Sequence, residues 1–329
     1  MTPDLTTYDA MFVNVSGKDG RAALAVISEE AARRGVADRV WTVHADLGLI
    51  EWPGVTVNGT YWPSNRELVA AESAAYGVPP ERHIVTWRTV TEDGGPRPQS
   101  LLEYIARRRM FPDPARRYCT SDVKVSKIEV SMTPILRELK RALRRPVRVL
   151  EVTGMRAEES ASRADLPVLS VGACNSSKVV DRYLPVHSMS TADVRALNDA
   201  SGVPHHWAYD SAPGANDWEG MSRLSCSLCI MSNLRDLVLA IRRRPRLARL
   251  YARVEERLGH RFRANASIAS LIVRADEPGW PDPGVVLDEQ TPEFDQLEAD
   301  VLSALDREIP LRGGTGFTTQ ACAQACTGC

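Results

Sequence analysis

The chain has few aromatic residues, 6% of 329, and almost no net charge, −1 at pH 7. Near-neutrality excludes a strongly polybasic protein, so any nucleic-acid contact has to rest on a local patch. No apolar run reaches the ~18 residues that a membrane span requires, and no membrane partner is expected. The first ten residues, MTPDLTTYDA, lack a basic stretch leading into an apolar core, so no signal peptide is expected and the cytoplasm is the expected compartment. What is present is ordinary for a globular protein: 43% hydrophobic and 25% charged residues, enough for one large or two modest domains. Arg107–Arg109, Lys140–Arg148 and Arg242–Arg246 are basic runs, each read first as a solvated helix face and second as a nucleic-acid groove. Seven cysteines in such a chain point to metal or redox chemistry before disulfides.

The first half alternates strand and helix patterns. Met11–Val15, Arg39–His44, His83–Trp87 and Val147–Thr153 read as strands, with Arg182–Pro185 a fifth. Arg21–Arg34 reads as a helix ended by Gly35, and Ser64-x-x-Glu67 is a capping box for a helix through Tyr76, stopped by Gly77. Ser100–Arg109 and Asp122–Glu129 read as helices, and Thr133-Pro134 as the start of another reaching Arg145. This alternation predicts an α/β fold with a mainly parallel sheet covered on both faces. The expected division is a nucleotide-binding α/β domain over 1–200, a helical region over 201–310 and a mobile, cysteine-containing tail over 311–329. Pro204–Arg223 reads as loop, Cys226–Arg244 and Pro245–Leu258 as helices, and Thr291-Pro292-Glu293 opens a helix to about Glu308.

The stretch richest in chemistry is MFVNVSGKDG, in which an apolar run enters the loop Val15-Ser16-Gly17-Lys18-Asp19-Gly20 just before a helical pattern. Strand, glycine-bearing loop and helix build an anion site from backbone N–H groups and the helix N-terminus. The spacing is not that of a Walker A loop. Asp46-Leu47-Gly48 follows the second strand, and Gly154-Met155-Arg156-Ala157-Glu158-Glu159-Ser160 follows the fourth. Arg156 supplies a planar fork suited to phosphate or sulfate, with Glu159 placed to orient it or a substrate group. Asp19 and Asp46 are carboxylates able to hold Mg²⁺. Cys226-Ser227-Leu228-Cys229, read as opening a helix, is a metal clamp. His187, His205 and His206 read as packing or surface residues rather than ligands, and Gly259-His260-Arg261-Phe262-Arg263 carries no assignable chemistry.

These motifs, in this order over about residues 11–265, resemble those of the PAPS reductase / N-type ATP pyrophosphatase superfamily, including DndC-like proteins of DNA phosphorothioation. The loop is similar to SGGKDS, Asp46-Leu47-Gly48 to a D-T-G motif, and Arg156 to Ser160 to G-[IL]-R-x-x-E-S. Arg117-Tyr118-Cys119 with Lys124 is similar to R-x-C-[TS]-x-x-x-K, whose cations would sit near the anion. The resemblance implies a Rossmann-like adenine nucleotide α-hydrolase fold with ATP or an adenylyl nucleotide in the loop. It implies a [4Fe–4S] cluster on Cys119, Cys226 and Cys229, with Cys174 the nearest fourth ligand, or zinc as the alternative.

Three functions follow from the resemblance. The first is an ATP pyrophosphatase in sulfur transfer, with a sulfur donor protein such as a cysteine desulfurase and a nucleic-acid acceptor. The second is a phosphoadenylyl or adenylyl sulfate reductase. The third is a nucleotide-binding partner without catalysis, which the missing Gly and Ser of the loop would allow. The tail Cys322-x-x-x-Cys326-x-x-Cys329 reads as a second metal site, a persulfide relay or a redox tail.

Overall fold

The computed structural model describes residues 2–92 and 94–307. Cys322, Cys326 and Cys329 lie outside the described residues. The strands are β1 Ala10–Asn14, β2 Val40–Asp46, β3 Val55–Val57, β4 Thr60–Trp62, β5 His83–Trp87, β6 Thr89–Glu92, β7 Gly95–Pro98, β8 Val147–Thr153, β9 Leu169–Cys174 and β10 Lys178–Tyr183. The helices are α1 Lys18–Arg33, α2 Asn65–Ala75, α3 Leu101–Arg108, α4 Tyr118–Thr120, α5 Ser126–Leu143, α6 Ala161–Ala164, α7 Thr191–Ala200, α8 Leu234–Arg243, α9 Pro245–Leu258, α10 Ile268–Ala275 and α11 Pro292–Asp306. None of these helices is long and apolar enough to cross a membrane.

Six strands form one sheet in the order β5-β2-β1-β8-β10-β9. Every neighbouring pair is parallel except β10 with β9 at the edge. The central strand β1 is apolar because both its faces are covered. Met11 and Val13 enter the core under α1 and α7, while Ala10 and Phe12 enter the core under α5. That alternation is the period-two pleat of a strand, repeated in β8 by Leu150 and Val152 against Val147 and Val149. The capping box Ser64/Glu67 is formed, and Gly35 and Gly77 adopt positive φ just beyond their helices. A third and larger core joins Leu47, Ile50 and Trp52 to residues of α3, α8, α9, α10 and α11.

Four expectations are corrected. No helix begins at Thr133-Pro134; Pro134 lies inside the single helix α5, which continues from a π-helical turn over Ser121–Val125. An interior proline costs about 3 kcal/mol, but burial of Met132 and Leu136 on either side contributes about 1.5–3 kcal/mol each. Thr133 does not cap; its hydroxyl donates back to the Glu129 carbonyl at 3.0 Å. The fifth strand spans Lys178–Tyr183 and brings an antiparallel partner, β9, with Cys174 at its exposed end.

The Cys226–Cys229 segment does not open a helix. Helix α8 starts at Leu234, because the Asn233 side chain caps it by accepting from Asp236 N–H. Cys226 instead forms a β-bridge with Glu51, and Ser227 N–H donates to Ile50 O at 2.8 Å.

The Arg242–Arg246 run is no solvated face. Arg243 and Arg244 are fully buried. Arg243 donates to the carbonyls of Ala208, Asp210, Ser211 and Pro283. Arg244 donates to Leu49 O, Glu51 O, Ser227 Oγ and the Glu289 carboxylate at 2.6–2.8 Å. The Lys140–Arg148 run does fit its first reading, with Arg141 and Arg144 exposed.

Removing one partner of a buried ion pair strands the other charge, so Arg244→Ala is expected to destabilise the fold by about 3–5 kcal/mol. Urea unfolding of that variant checks this, with Arg246→Ala, a surface arginine, as the comparison. His206 is buried and neutral, its pKa pushed down to about 3, chiefly by burial. Its folded pKa lies below the unfolded value of about 6.5, so stability is present above that pH and lost as pH falls. The loss is expected at about 1.4 kcal/mol per unit below pH 6.5. Asn can still accept the Ala208 N–H that His206 Nδ1 accepts at 3.0 Å. The urea midpoint of His206→Asn is therefore expected to fall less between pH 7 and pH 5 than that of the parent.

Candidate functional site

The site is built where α1 meets the carboxyl ends of β1 and β8. Gly17 is extended and caps α1, so the helix begins at Lys18, ahead of the expected Arg21. Lys18, Asp19 and Gly20 are therefore its first turn, not loop. A Cβ on Gly20 would stand 2.7 Å from Asn14 O, and one on Gly154 would overlap the Asp19 carbonyl. These two glycines let the helix N-terminus press between the strand ends. The Oδ1 of Asn14 is buried there without a partner.

Three charged side chains meet at this turn. Asp19 Oδ1 accepts from Arg156 Nε at 2.6 Å, and Asp19 Oδ2 lies 3.2 Å from Lys18 Nζ. Lys18 and Arg156 are buried, while Asp19 keeps about a fifth of its side chain in solvent. Arg156 also pairs with Glu158 at 2.6 Å, and Lys18 Nζ donates to Ser222 O at 3.0 Å. Buried cations demand acceptors, and here the protein's own carboxylate supplies them. Burial works against the Arg156 cation, yet the Asp19 carboxylate beside it leaves its pKa raised.

Backbone groups around the turn are held by neutral side chains. Tyr209 Oη accepts from Lys18 N–H at 2.9 Å, and Asn198 Nδ2 donates to Lys18 O at 2.9 Å. The Tyr209 ring lies 5.6 Å from Lys18 Nζ. Burial raises the Tyr209 pKa and keeps the phenol neutral.

Other expected residues are placed differently. Glu159 accepts the Arg156 backbone N–H at 3.0 Å and pairs with Arg163, so it fixes the turn while Glu158 holds the guanidinium. Asp46 closes a turn by accepting Gly48 N–H at 2.8 Å, and pairs with Arg66 at 3.2 Å. Gly48 has φ +77, a conformation that favours glycine. Val15 is buried, and its carbonyl contacts His44 Nδ1 at 3.0 Å. Arg117 is exposed. Lys124 Nζ donates to Ser225 Oγ at 2.8 Å and stands by the thiols rather than at α1.

Cys119, Cys226 and Cys229 share one neighbourhood. Each feels the charge of another and of Lys124. The Cys226 and Cys229 thiols act on each other, which pulls Cys229 well below an ordinary thiol pKa and lifts Cys226 above it. Burial raises Cys119. A [4Fe–4S] cluster takes four thiolates. Among the described residues no three Cys, His, Asp or Glu side chains form a group able to hold a metal ion, and Cys174 is exposed at the end of β9.

The anion site and the thiols are the two ends of one short segment. Ser222, which binds Lys18, precedes Cys226 by four residues, a span of at most about 14 Å. A buried pair, His44 and Glu51, links the same two places: His44 touches Val15 O, Glu51 bridges to Cys226, and their side chains approach to 3.3 Å. Burial opposes the imidazolium, but the Glu51 carboxylate holds the His44 pKa above its ordinary value. Sequence reading missed Tyr209, Ser222, Glu158 and this pair. Tyr209 and Ser222 lie in a stretch without periodicity, where no local signal marks a contact 191 or 204 residues away.

The fold and site define an α/β protein in which a glycine-capped helix N-terminus meets the carboxyl ends of a mainly parallel sheet. Among solved structures the chain is similar to a phosphoadenylyl-sulfate (PAPS) reductase from Candida auris in a phosphate complex. The two are 18% identical over 61% of this chain and 77% of that one, with a TM-score of 0.35. No family model and no curated protein matches the chain. At that degree of overlap the functional reading rests on the site's own geometry.

The thiol shifts give a direct expectation. Iodoacetamide at pH 7, followed by peptide mapping, is expected to label Cys229 ahead of Cys226 and Cys119. Equal labelling of the three would contradict the lowered pKa of Cys229.

Proposed function

We propose that the chain binds the phosphates of ATP at the first turn of α1 and activates an acceptor for sulfur transfer. The observation that carries this is Asp19, clamped between the buried Lys18 ammonium and Arg156 guanidinium at a helix N-terminus. Asp19 pairs with both cations. Phosphate oxygens are better partners for the same fork and ammonium, since they bring more charge and the α1 dipole favours them. Released from the cations, Asp19 would hold magnesium together with phosphate oxygens and water. Bound there, magnesium would neutralise phosphate charge.

An acceptor oxygen then attacks the α-phosphate and pyrophosphate leaves. Lys18 and Arg156, both buried, and the α1 N–H groups meet the charge on the leaving group. The nearness of Cys226 and Cys229 to Ser222 supports sulfur delivery beside the activated acceptor. A sulfur donor protein such as a cysteine desulfurase and a nucleic-acid acceptor, as in DNA phosphorothioation, belong to this reading. The lowered Cys229 pKa favours a second reading, in which a thiolate attacks the sulfonate of an adenylyl or phosphoadenylyl sulfate. Adenine-nucleotide binding without catalysis is the remaining reading.

The test is pyrophosphate release from ATP, with acceptor and sulfur donor present. Asp19→Ala and Arg156→Lys are each expected to lower it at least ~100-fold, the scale of losing one electrostatic contact to the reacting group. Sulfite formed from PAPS with thioredoxin would establish the second reading instead. Tight ATP binding with neither product would leave only nucleotide binding.

A further inference from the structure

His260–Arg263, the stretch without assignable chemistry in the sequence, forms one wall of a cavity of about 600 Å³. The facing wall is Ile230–Ser232, the three residues after Cys229. The volume falls in the ~300–1,000 Å³ range of small-molecule sites, which pair an apolar lining with a few fixed polar groups. Here Ile230 and Met231 supply apolar surface. Between Arg261 and Arg263, Phe262 turns into the core against Phe111 and Tyr251, with centroids 5.6 and 6.2 Å away, and anchors that wall.

The polar groups have one sign. Arg261 is exposed and Arg263 half-buried at the cavity. Arg263 donates to Ser232 O and, at 3.4 Å, to Cys229 O, yet its Nε is buried without a partner. Asp113 is the one carboxylate in the wall, and its Oδ1 already accepts from Ala115 and Arg116 N–H groups at 2.8 and 2.7 Å. Two guanidinium groups against one engaged carboxylate favour an anion. The cavity also touches the groups that hold Cys229. Met231 N–H donates to its Sγ at 3.5 Å, and Arg263 grips its carbonyl.

We propose that this cavity is a binding site for a small organic anion seated beside Cys229. A planar apolar body rests on Met231 and Ile230, and a sulfonate, phosphate or carboxylate meets Arg263 and Arg261. The site stands apart from α1 and does not depend on the nucleotide reading.

Isothermal titration calorimetry with 1-naphthalenesulfonate tests it. One saturable site per chain is expected, with the neutral 1-naphthalenemethanol at least tenfold weaker. Arg263→Met keeps the aliphatic stem, removes the charge and is expected to weaken sulfonate binding at least tenfold. Met231→Trp, at a position 38% exposed, is expected to fill the cavity and abolish binding with an unchanged circular dichroism spectrum. Arg156→Lys, which removes the phosphate fork, is expected to weaken ATP binding and keep the sulfonate, which separates this site from the nucleotide site. Saturating sulfonate is expected to slow iodoacetamide labelling of Cys229. Absence of saturable binding, equal affinity for sulfonate and alcohol, or undiminished binding in Met231→Trp overturns the site. Unchanged labelling of Cys229 overturns its place beside the thiol.

Discussion

A fully buried guanidinium has five N–H donors and no way to lose its charge, so the surrounding backbone has to be arranged around it. Arg244 imposes that requirement on this fold. It gathers the carbonyls of Leu49 and Glu51, beyond the end of β2, together with Ser227 between the two cysteines and Glu289 before α11. Arg243 does the same for the irregular 208–211 stretch and Pro283. The position of the thiols relative to the sheet follows from these contacts. So does the placement of Tyr209, because Arg243 fixes the carbonyl of Ala208 next to it.

With that frame in place, the candidate site is a closed charge network. Lys18, Asp19, Arg156 and Glu158 alternate in sign, and each cation is buried. The network satisfies the buried Lys18 and Arg156 cations with Asp19 and Glu158, and Gly20 and Gly154 allow the close backbone approach on which it rests. The thiol pair is a second, separate feature: the two sulfurs act on each other, lowering the pKa of Cys229 and raising that of Cys226.

Much of the α/β half was legible because its signals are local. Strand apolarity, the Ser64/Glu67 box and the glycines after α1 and α2 each act within a few residues, and the structure forms them where expected. The misreadings share a cause. Pro134 was read as a helix start because propensity favours that, but burial of its neighbours prevailed. The Arg242–Arg246 run was read as surface because arginine is seldom buried, but here carbonyls from distant segments satisfy it. The CxxC segment was read as helical, but its backbone pairs with Glu51 and Ile50 instead.

By itself the sequence determined the alternation of strands and helices, the glycine-bearing turn into α1 and the residue types able to meet an anion. These depend on short-range sterics and on side-chain period. Tertiary structure alone decided that Asp19 lies between Lys18 and Arg156, that Tyr209 and Ser222 reach the first turn of α1, and that two arginines are interior. The contacts that Arg156, Tyr209 and Ser222 make with the first turn of α1 join residues 137 to 204 positions apart. Only chain closure, driven by the large core around α8 and α9 and by the acceptors that buried guanidinium groups require, brings them together.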